Sequence, residues 1–257
     1  MSAEIVKFEE QGRCAVIRLN RPSVHNAIND VAMGRLEEIQ EILGNRSEIC
    51  AVIITGTGDE SFCSGGDIRY FASLKTRGDA LAMSQRMQAI LKALKTGNQV
   101  VIAAVNGNAL GGGCEILTAC HYRIAEEHAK FSFRQAANGI ITGWGGGVRL
   151  FNLIDRSHAL RLLTTSATFN AQEALAIRFV NQVVPSGKAM ETAFDLAGLL
   201  SRYSPSVVRA FLHILYKVEK GDIDAAVEFE TERFGDLWIS DDFKEWLKAF
   251  LKNSSLK

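Results

Sequence analysis

Residues 104–115 read AVNGNALGGGCE, and this stretch decides the fold class. An apolar run, 100–105, leads into it, and a helix-compatible run, 116–120, follows it. This order predicts a buried strand that ends in a tight glycine loop and opens a helix. Backbone N–H groups at a helix start lack acceptors within the helix, and glycines let a ligand approach them closely. The stretch therefore predicts a pocket for a negatively charged oxygen, with Glu115 one turn inside the helix.

The composition sets the broad class of protein. The chain has 257 residues, of which 47% are hydrophobic and 23% charged, as is usual for a soluble globular protein. Basic and acidic residues number 29 each, so no net charge attracts nucleic acid or an anionic membrane. We expect neither as a partner.

The N-terminal residues and the cysteines predict the cellular compartment of the protein. Residues 1–5 lack the features of a signal peptide, and no apolar run approaches the roughly 18 residues of a membrane span. The five cysteines are odd in number and lie mostly in apolar runs, which predicts reduced core residues of an intracellular, cytoplasmic protein. No Cys/His pair has the spacing of zinc ligands, so we expect no metal site.

Hydrophobic periodicity predicts an alternation of strands and helices up to Gly139, which is typical of an α/β protein. The expected elements there are a hairpin over 5–19, a helix from Asn29 or Asp30 to about Leu43, a strand over 49–55, a glycine-rich loop over 56–66, a helix through 83–94, a strand over 100–105, a helix from about Cys114, and short strands at 122–125 and 130–133. Beyond Gly139 the pattern is helical: near Val148, over 171–177 and 191–203, from Pro205, and over 222–234 and 242–251.

Another glycine loop, FCSGGDI at 62–68, lies earlier in the chain and also follows an apolar strand; in chain order it is the first glycine loop, and the loop within 104–115 is the second. Neither loop carries the Gly-Lys-Ser/Thr of a phosphate-binding loop, and neither fits a dinucleotide-binding fingerprint. Two loops that present N–H groups in one α/β domain instead predict a two-donor oxyanion hole. Such a hole stabilises a carbonyl oxygen as it gains negative charge.

Four sets of residues carry a resemblance to a known family. They are NRP at 20–22 with NAI at 26–28, SFCSGGDI at 61–68, AVNG at 104–107 with LGGGCE at 110–115, and GII at 139–141 with 145–146 and 149–150. In this order and spacing they resemble the crotonase (enoyl-CoA hydratase/isomerase) superfamily over essentially the whole chain.

The resemblance implies an architecture and a substrate. It implies an α/β protein with a crotonase-like β/α spiral core over 1–200 that binds acyl-CoA, and a helical C-terminal part over 201–257 that assembles a homotrimer or homohexamer. The substrate would be an acyl-CoA thioester. Coenzyme A would enter as part of that substrate, and no separate cofactor would be required.

The resemblance also assigns roles to particular residues. The N–H groups of Ser64 and Gly112 would form the oxyanion hole, and Glu115 would be a catalytic acid/base. The coenzyme A and substrate contacts would come from Arg21, Ser64, Gly65, Gly66, Asp67, Ile68, Gly111 and Trp144. Asp67 is explained most simply as the cap of the helix that follows it.

Gln135 departs from the pattern, because hydratases of the family carry a second catalytic glutamate at the matching position. An amide orients water or substrate by hydrogen bonds but does not act as a base. Glu126 and Glu127 lie nearby in sequence, and we expect both to be solvated. The leading hypothesis is a hydratase-type lyase, with Gln135 orienting the reacting groups. The alternatives are a decarboxylase of malonyl-type CoA esters and a non-catalytic acyl-CoA binder.

Overall fold

The computed structural model describes residues 4–254, in which strands divide between two sheets. The larger sheet has the order β1 (Val6–Gln11), β2 (Cys14–Leu19), β3 (Ala51–Gly56), β5 (Val100–Val105), β7 (Tyr122–Glu126) and β10 (Gln182–Val184). The smaller has the order β4 (Ser61–Cys63), β6 (Asn108–Leu110), β8 (Lys130–Ser132) and β9 (Phe169–Asn170). β1 pairs with β2, and β8 with β9, in antiparallel fashion; the other neighbours are parallel.

Helices connect and cover the sheets. They are α1 (Asp30–Gly44), α2 (Ile68–Ser73), α3 (Arg77–Thr96), α4 (Gly112–Leu117), α5 (Gly146–Leu153), α6 (Arg156–Thr165), α7 (Ala171–Ala176), α8 (Ala189–Leu200), α9 (Pro205–Glu219), α10 (Ile223–Trp238) and α11 (Asp241–Ser254). The α/β class and the helical C-terminal part are confirmed. Whether the chain divides into two units at residue 200 stays a prediction.

The path of the chain explains how the two glycine loops meet. Successive strands alternate between the sheets: β3 is followed by β4, β5 by β6, and β7 by β8. The short strands β4, β6 and β8 therefore each continue the chain just past the end of a long strand, whereas β9 follows the helix α6. β3 and β5 are buried along their whole length, as is usual for parallel strands covered on both faces. The loops that follow β4 and β6 come together because these strands pair.

Several expectations need correction. The loop predicted over 56–66 contains the strand β4, whose three residues are too few to produce a visible alternation of hydrophobicity. The helix predicted from Cys114 begins at Gly112, since glycines at a helix start carry no propensity signal. The helix α6 was not predicted. Glu126 is buried, not solvated, and accepts a hydrogen bond from the Ala189 N–H at 3.3 Å.

The five cysteines are free and buried, in agreement with their predicted place in the core. Between residues 4 and 254, no helix is long and apolar enough to cross a membrane.

Candidate functional site

The second glycine loop brings the start of α4 against the first loop. The Gly111 N–H donates to the Ser132 carbonyl at 2.8 Å, which fixes the loop to β8. Gly111 has a φ of 52°, in the region that favours glycine. A β-carbon on Gly113 would collide with the Cys63 carbonyl, and one on Gly112 would collide with the Trp144 ring. Only glycine allows this close approach.

The peptide N–H groups of the first loop point alternately to opposite sides. The Ser64 N–H donates to the His25 carbonyl at 3.0 Å. The Gly65 carbonyl and the Asp67 N–H both pair with Ile28, each at 2.8 Å. In an extended segment, successive N–H groups point to opposite sides, so the Gly66 N–H faces away from Ile28.

This arrangement contradicts the prediction that Ser64 is an oxyanion donor, because its N–H is already paired within the chain. Within the described part of the chain, the N–H groups of Gly66 and Gly112 have no acceptor. The two segments lie in contact: a β-carbon on Gly65 would lie 2.8 Å from the Gly112 nitrogen. Gly66 and Gly112 therefore present two free donors on neighbouring loops.

An ion pair supports the first loop. The Arg21 guanidinium donates to the Asp67 carboxylate at 2.7 Å and to the Ala27 carbonyl at 2.6 Å. The other Asp67 oxygen accepts the Arg69 N–H at 2.8 Å, which caps α2 as predicted. Burial raises the pKa of Asp67, but the hydrogen bonds from Arg21 and the helix start outweigh it and leave the pKa below its usual range. Both side chains thus hold the loop in shape.

Glu115 lies on α4 and is 2% exposed. Its Oε2 accepts the N–H groups of Trp144 and Gly146, each at 2.8 Å, and its Oε1 accepts the Gln135 Nε2 at 2.8 Å. Burial raises the pKa of Glu115, and the three hydrogen bonds together with the Arg149 charge do not cancel that effect. A carboxylate held in this way is fixed in position and more basic than an exposed one.

Gln135 is 8% exposed, and its two polar atoms differ in their contacts. Nε2 donates to Glu115, whereas Oε1 is buried without a hydrogen-bond partner. A buried acceptor without a partner costs about 1–3 kcal/mol, so it marks a place for a water or a ligand group. This unpartnered oxygen belongs to the same Gln135 amide that donates to Glu115.

Arg149 ties the glycine-rich segment 143–147 to α4. Its guanidinium donates to the Trp144 carbonyl at 2.8 Å, to the Glu115 carbonyl at 3.2 Å and to the Thr118 hydroxyl at 3.0 Å. The Trp144 and Gly146 N–H groups that hold the carboxylate therefore sit in a segment anchored by Arg149.

The structure brings most of the predicted site residues together. Gly65, Gly66, Gly111, Gly112, Glu115, Gln135 and Trp144 converge on one place, with Ile68 exposed at the start of α2 beside them. Sequence reasoning missed the role of Arg149, the N–H of Gly146 and the choice of Gly66 over Ser64. The glycines at 145–147 were a signal for close backbone approach, but sequence alone does not show which N–H groups point inward. Among residues 4–254, no group of three His, Cys, Asp or Glu side chains could hold a metal ion.

Comparison with known proteins identifies the family to which the chain belongs. The sequence model of a family described as "Enoyl-CoA hydratase/isomerase" matches residues 9–256. The chain is 34% identical over 258 residues to the short-chain-enoyl-CoA hydratase of Clostridium acetobutylicum, with 100% of this chain and 98% of that protein covered. It is 33% identical over 252 residues to the crotonyl-CoA hydratase of Syntrophomonas wolfei, with 98% and 96% covered.

A solved structure shows the same architecture. The enoyl-CoA hydratase of Bacillus anthracis superposes with a TM-score of 0.92 at 28% identity, covering 97% of this chain and 96% of that one. The crotonase-like fold predicted from the sequence is confirmed.

Proposed function

Because this chain belongs to the enoyl-CoA hydratase/isomerase family, we propose that it adds water to the double bond of a 2-enoyl-CoA thioester. The names of its relatives, a short-chain-enoyl-CoA hydratase and a crotonyl-CoA hydratase, support a short acyl group. The observation that carries the proposal is the buried Glu115 carboxylate, fixed by three hydrogen bonds beside two free backbone donors.

The thioester carbonyl accepts from the N–H groups of Gly66 and Gly112. Their lack of other acceptors and the contact between their loops support this assignment. Both donors become stronger partners as the oxygen gains charge, and loss of one donor from such a hole costs about 3 kcal/mol of transition-state stabilisation. Withdrawal of charge toward the oxygen makes the β-carbon open to attack by water.

Glu115 moves the proton. As the water oxygen forms a bond to the β-carbon, Glu115 takes one proton from that water, and the π electrons move to the α-carbon and the thioester oxygen. The protonated Glu115 then delivers the same proton to the α-carbon. One C–O bond and one C–H bond form, the π bond breaks, and the carboxylate returns to its starting state.

Gln135 orients the water. Its Nε2 fixes Glu115, and its unpartnered Oε1 is free to accept the second hydrogen of the attacking water. An amide holds no proton to give, so every proton transfer falls to Glu115. The coenzyme A portion approaches past the first glycine loop, where Ser64 and the exposed Ile68 face its path and Arg21 and Asp67 keep the loop in place.

A decarboxylase of malonyl-type CoA esters would use the same two N–H groups, and the single family carboxylate of this chain is compatible with it. The charge of Glu115 disfavours binding of such a substrate, because an ionised buried carboxylate repels the second carboxylate of a malonyl-type ester. A non-catalytic binder would have no use for a carboxylate whose fixed position requires three hydrogen bonds.

The direct test is a panel of three thioesters. We expect loss of the conjugated double bond of crotonyl-CoA, with formation of 3-hydroxybutanoyl-CoA, and no release of CO₂ from methylmalonyl-CoA or ethylmalonyl-CoA. Release of CO₂ without hydration would replace the proposed reaction by decarboxylation. Tight binding of all three thioesters without conversion would identify a binder.

Assembly into a homotrimer or homohexamer is the second part of the proposal. The C-terminal helices expose large apolar side chains, which supports their burial against further copies of the chain. These residues are Phe211, Leu215, Phe234, Trp238, Ile239, Trp246 and Leu247.

A further inference from the structure

Trp144 places a large ring directly beside the proposed reaction centre. The side chain is 3% exposed, and its six-membered ring covers the α-carbon of Gly112. On its other side, the indole Nε1 donates to the Met83 sulfur on α3 at 3.3 Å. The ring is thus enclosed between α3 and the start of α4.

The backbone on either side of the ring is fixed as well. The Trp144 N–H binds the Glu115 carboxylate, and its carbonyl accepts from Arg149. The neighbouring Gly143 carbonyl accepts from Ser84 and Gln88 on α3. Because the ring is packed and both ends of the segment are held by hydrogen bonds, the indole side chain is fixed in one position.

We propose that Trp144 closes the acyl end of the pocket, so that the enzyme accepts thioesters of about four carbons and excludes those of eight or more. This inference rests on the proposed site. A carbonyl at Gly66 and Gly112, with its α- and β-carbons at Glu115, directs the rest of the acyl chain toward the ring that covers Gly112. A longer chain meets the indole and has to displace it or turn away from it.

Binding of saturated thioesters tests the proposal separately from the reaction, since butanoyl-CoA and octanoyl-CoA have no double bond to hydrate. By calorimetry, we expect the wild type to bind butanoyl-CoA more tightly. In Trp144→Ala, each newly buried methylene strengthens binding by about fourfold, so the octanoyl-to-butanoyl affinity ratio should rise about tenfold or more. Trp144→Phe should give a smaller rise in the same direction.

Trp144→Ala keeps the backbone N–H and carbonyl at position 144, so the hydrogen bond from this N–H to Glu115 remains. Phe179→Leu is a matched control: it removes a buried ring that packs on Phe131, Phe133 and Phe169, and it should leave the affinity ratio unchanged. Should Trp144→Ala fail to fold, the octanoyl-to-butanoyl affinity ratio is measured in Trp144→Phe instead.

Equal affinity of the wild type for both thioesters would overturn the inference, as would an unchanged ratio in both Trp144 variants or no binding of either thioester. The outcome does not depend on hydration. A shifted ratio in a protein that fails to hydrate crotonyl-CoA would retain the pocket assignment and reject the proposed reaction.

Discussion

The segment around Glu115 and the C-terminal helices use large aromatic side chains in opposite ways. Trp144 is 3% exposed and packs on Gly112, in a cluster where a carboxylate and a guanidinium also find partners. Trp238 and Trp246 are 54% and 56% exposed, on α10 and α11. They form a row with Phe243, in which neighbouring ring centroids lie 4.5 and 5.7 Å apart.

This difference separates a region whose contacts are complete within one chain from a region whose apolar surface stays uncovered. The contacts around Glu115 form within a single chain, because glycines allow backbone, ring and carboxylate to pack together. The aromatic row on α10 and α11 has no such cover within the described residues, and apolar surface of this kind is typical of an interface. Substitutions in the first region should therefore change catalysis, and those in the second should change assembly.

The largest effect should follow Glu115→Gln. Because Glu115 is the group that we propose to move the proton, we expect kcat/KM for crotonyl-CoA to fall by about 10²–10⁴-fold. The fold should survive: the new amide oxygen can accept from Trp144 and Gly146, and its NH₂ can donate to Gln135 after that side chain turns its unpartnered oxygen inward. Circular dichroism and thermal unfolding provide the control. Unchanged turnover would remove Glu115 from the mechanism.

Gly112→Ala should come next. The added methyl group meets the Trp144 ring, so the ring, the loop or both must shift, and the N–H proposed to bind the thioester moves with the loop. A displacement of about 1 Å in such a site costs roughly 10²-fold in kcat. The double variant Gly112→Ala/Trp144→Ala should recover part of that loss, measured in the same hydration assay. No recovery would show that the ring is not the obstacle.

Arg149→Met should have an intermediate effect. It leaves the carbonyls of Glu115 and Trp144 without this donor, which should lower the free energy of unfolding by about 1–3 kcal/mol. The segment that holds Glu115 loosens, and we expect kcat to fall about tenfold with a smaller change in KM. Arg149→Lys should recover part of kcat. A loss of stability with an unchanged kcat would limit Arg149 to a structural role.

The smallest effect on catalysis should follow Trp238→Ser/Trp246→Ser. In an isolated chain, substitutions at exposed positions change the free energy of unfolding by only about 0.5 kcal/mol each. In the proposed oligomer they expose apolar surface, so light scattering after gel filtration should show a smaller assembly. Gly235→Ser, on the same helix α10, is a control, since a β-carbon there meets open space. An unchanged mass would place the interface elsewhere.

The sequence predicted the α/β class and the meeting of two glycine loops, because each depends on a pattern along the chain. It also singled out Glu115, whose catalytic role stays a prediction. It did not predict that the Ser64 N–H is paired within the chain while the Gly66 N–H is free, since that depends on the direction of single peptide groups. The role of Arg149 was also hidden. Its partners are two backbone carbonyls and a hydroxyl, which carry no recognisable sequence pattern. Trp144 was seen as a pocket residue, but its contact with Gly112 required the packed structure.

The measurement that most directly tests the central claim is the pH dependence of kcat/KM for hydration of crotonyl-CoA. Glu115 must be ionised to accept a proton from water, and burial raises its pKa above the usual glutamate range. Activity should therefore be full above that raised pKa and be lost as the pH falls through it, with one ionisation in the acid limb. In Gln135→Glu, a second carboxylate lies beside Glu115, so like-charge coupling should move the acid limb to higher pH and give it two ionisations. A wild-type profile that stays flat through the acid range, or one whose acid limb persists in the residual activity of Glu115→Gln, would contradict the account.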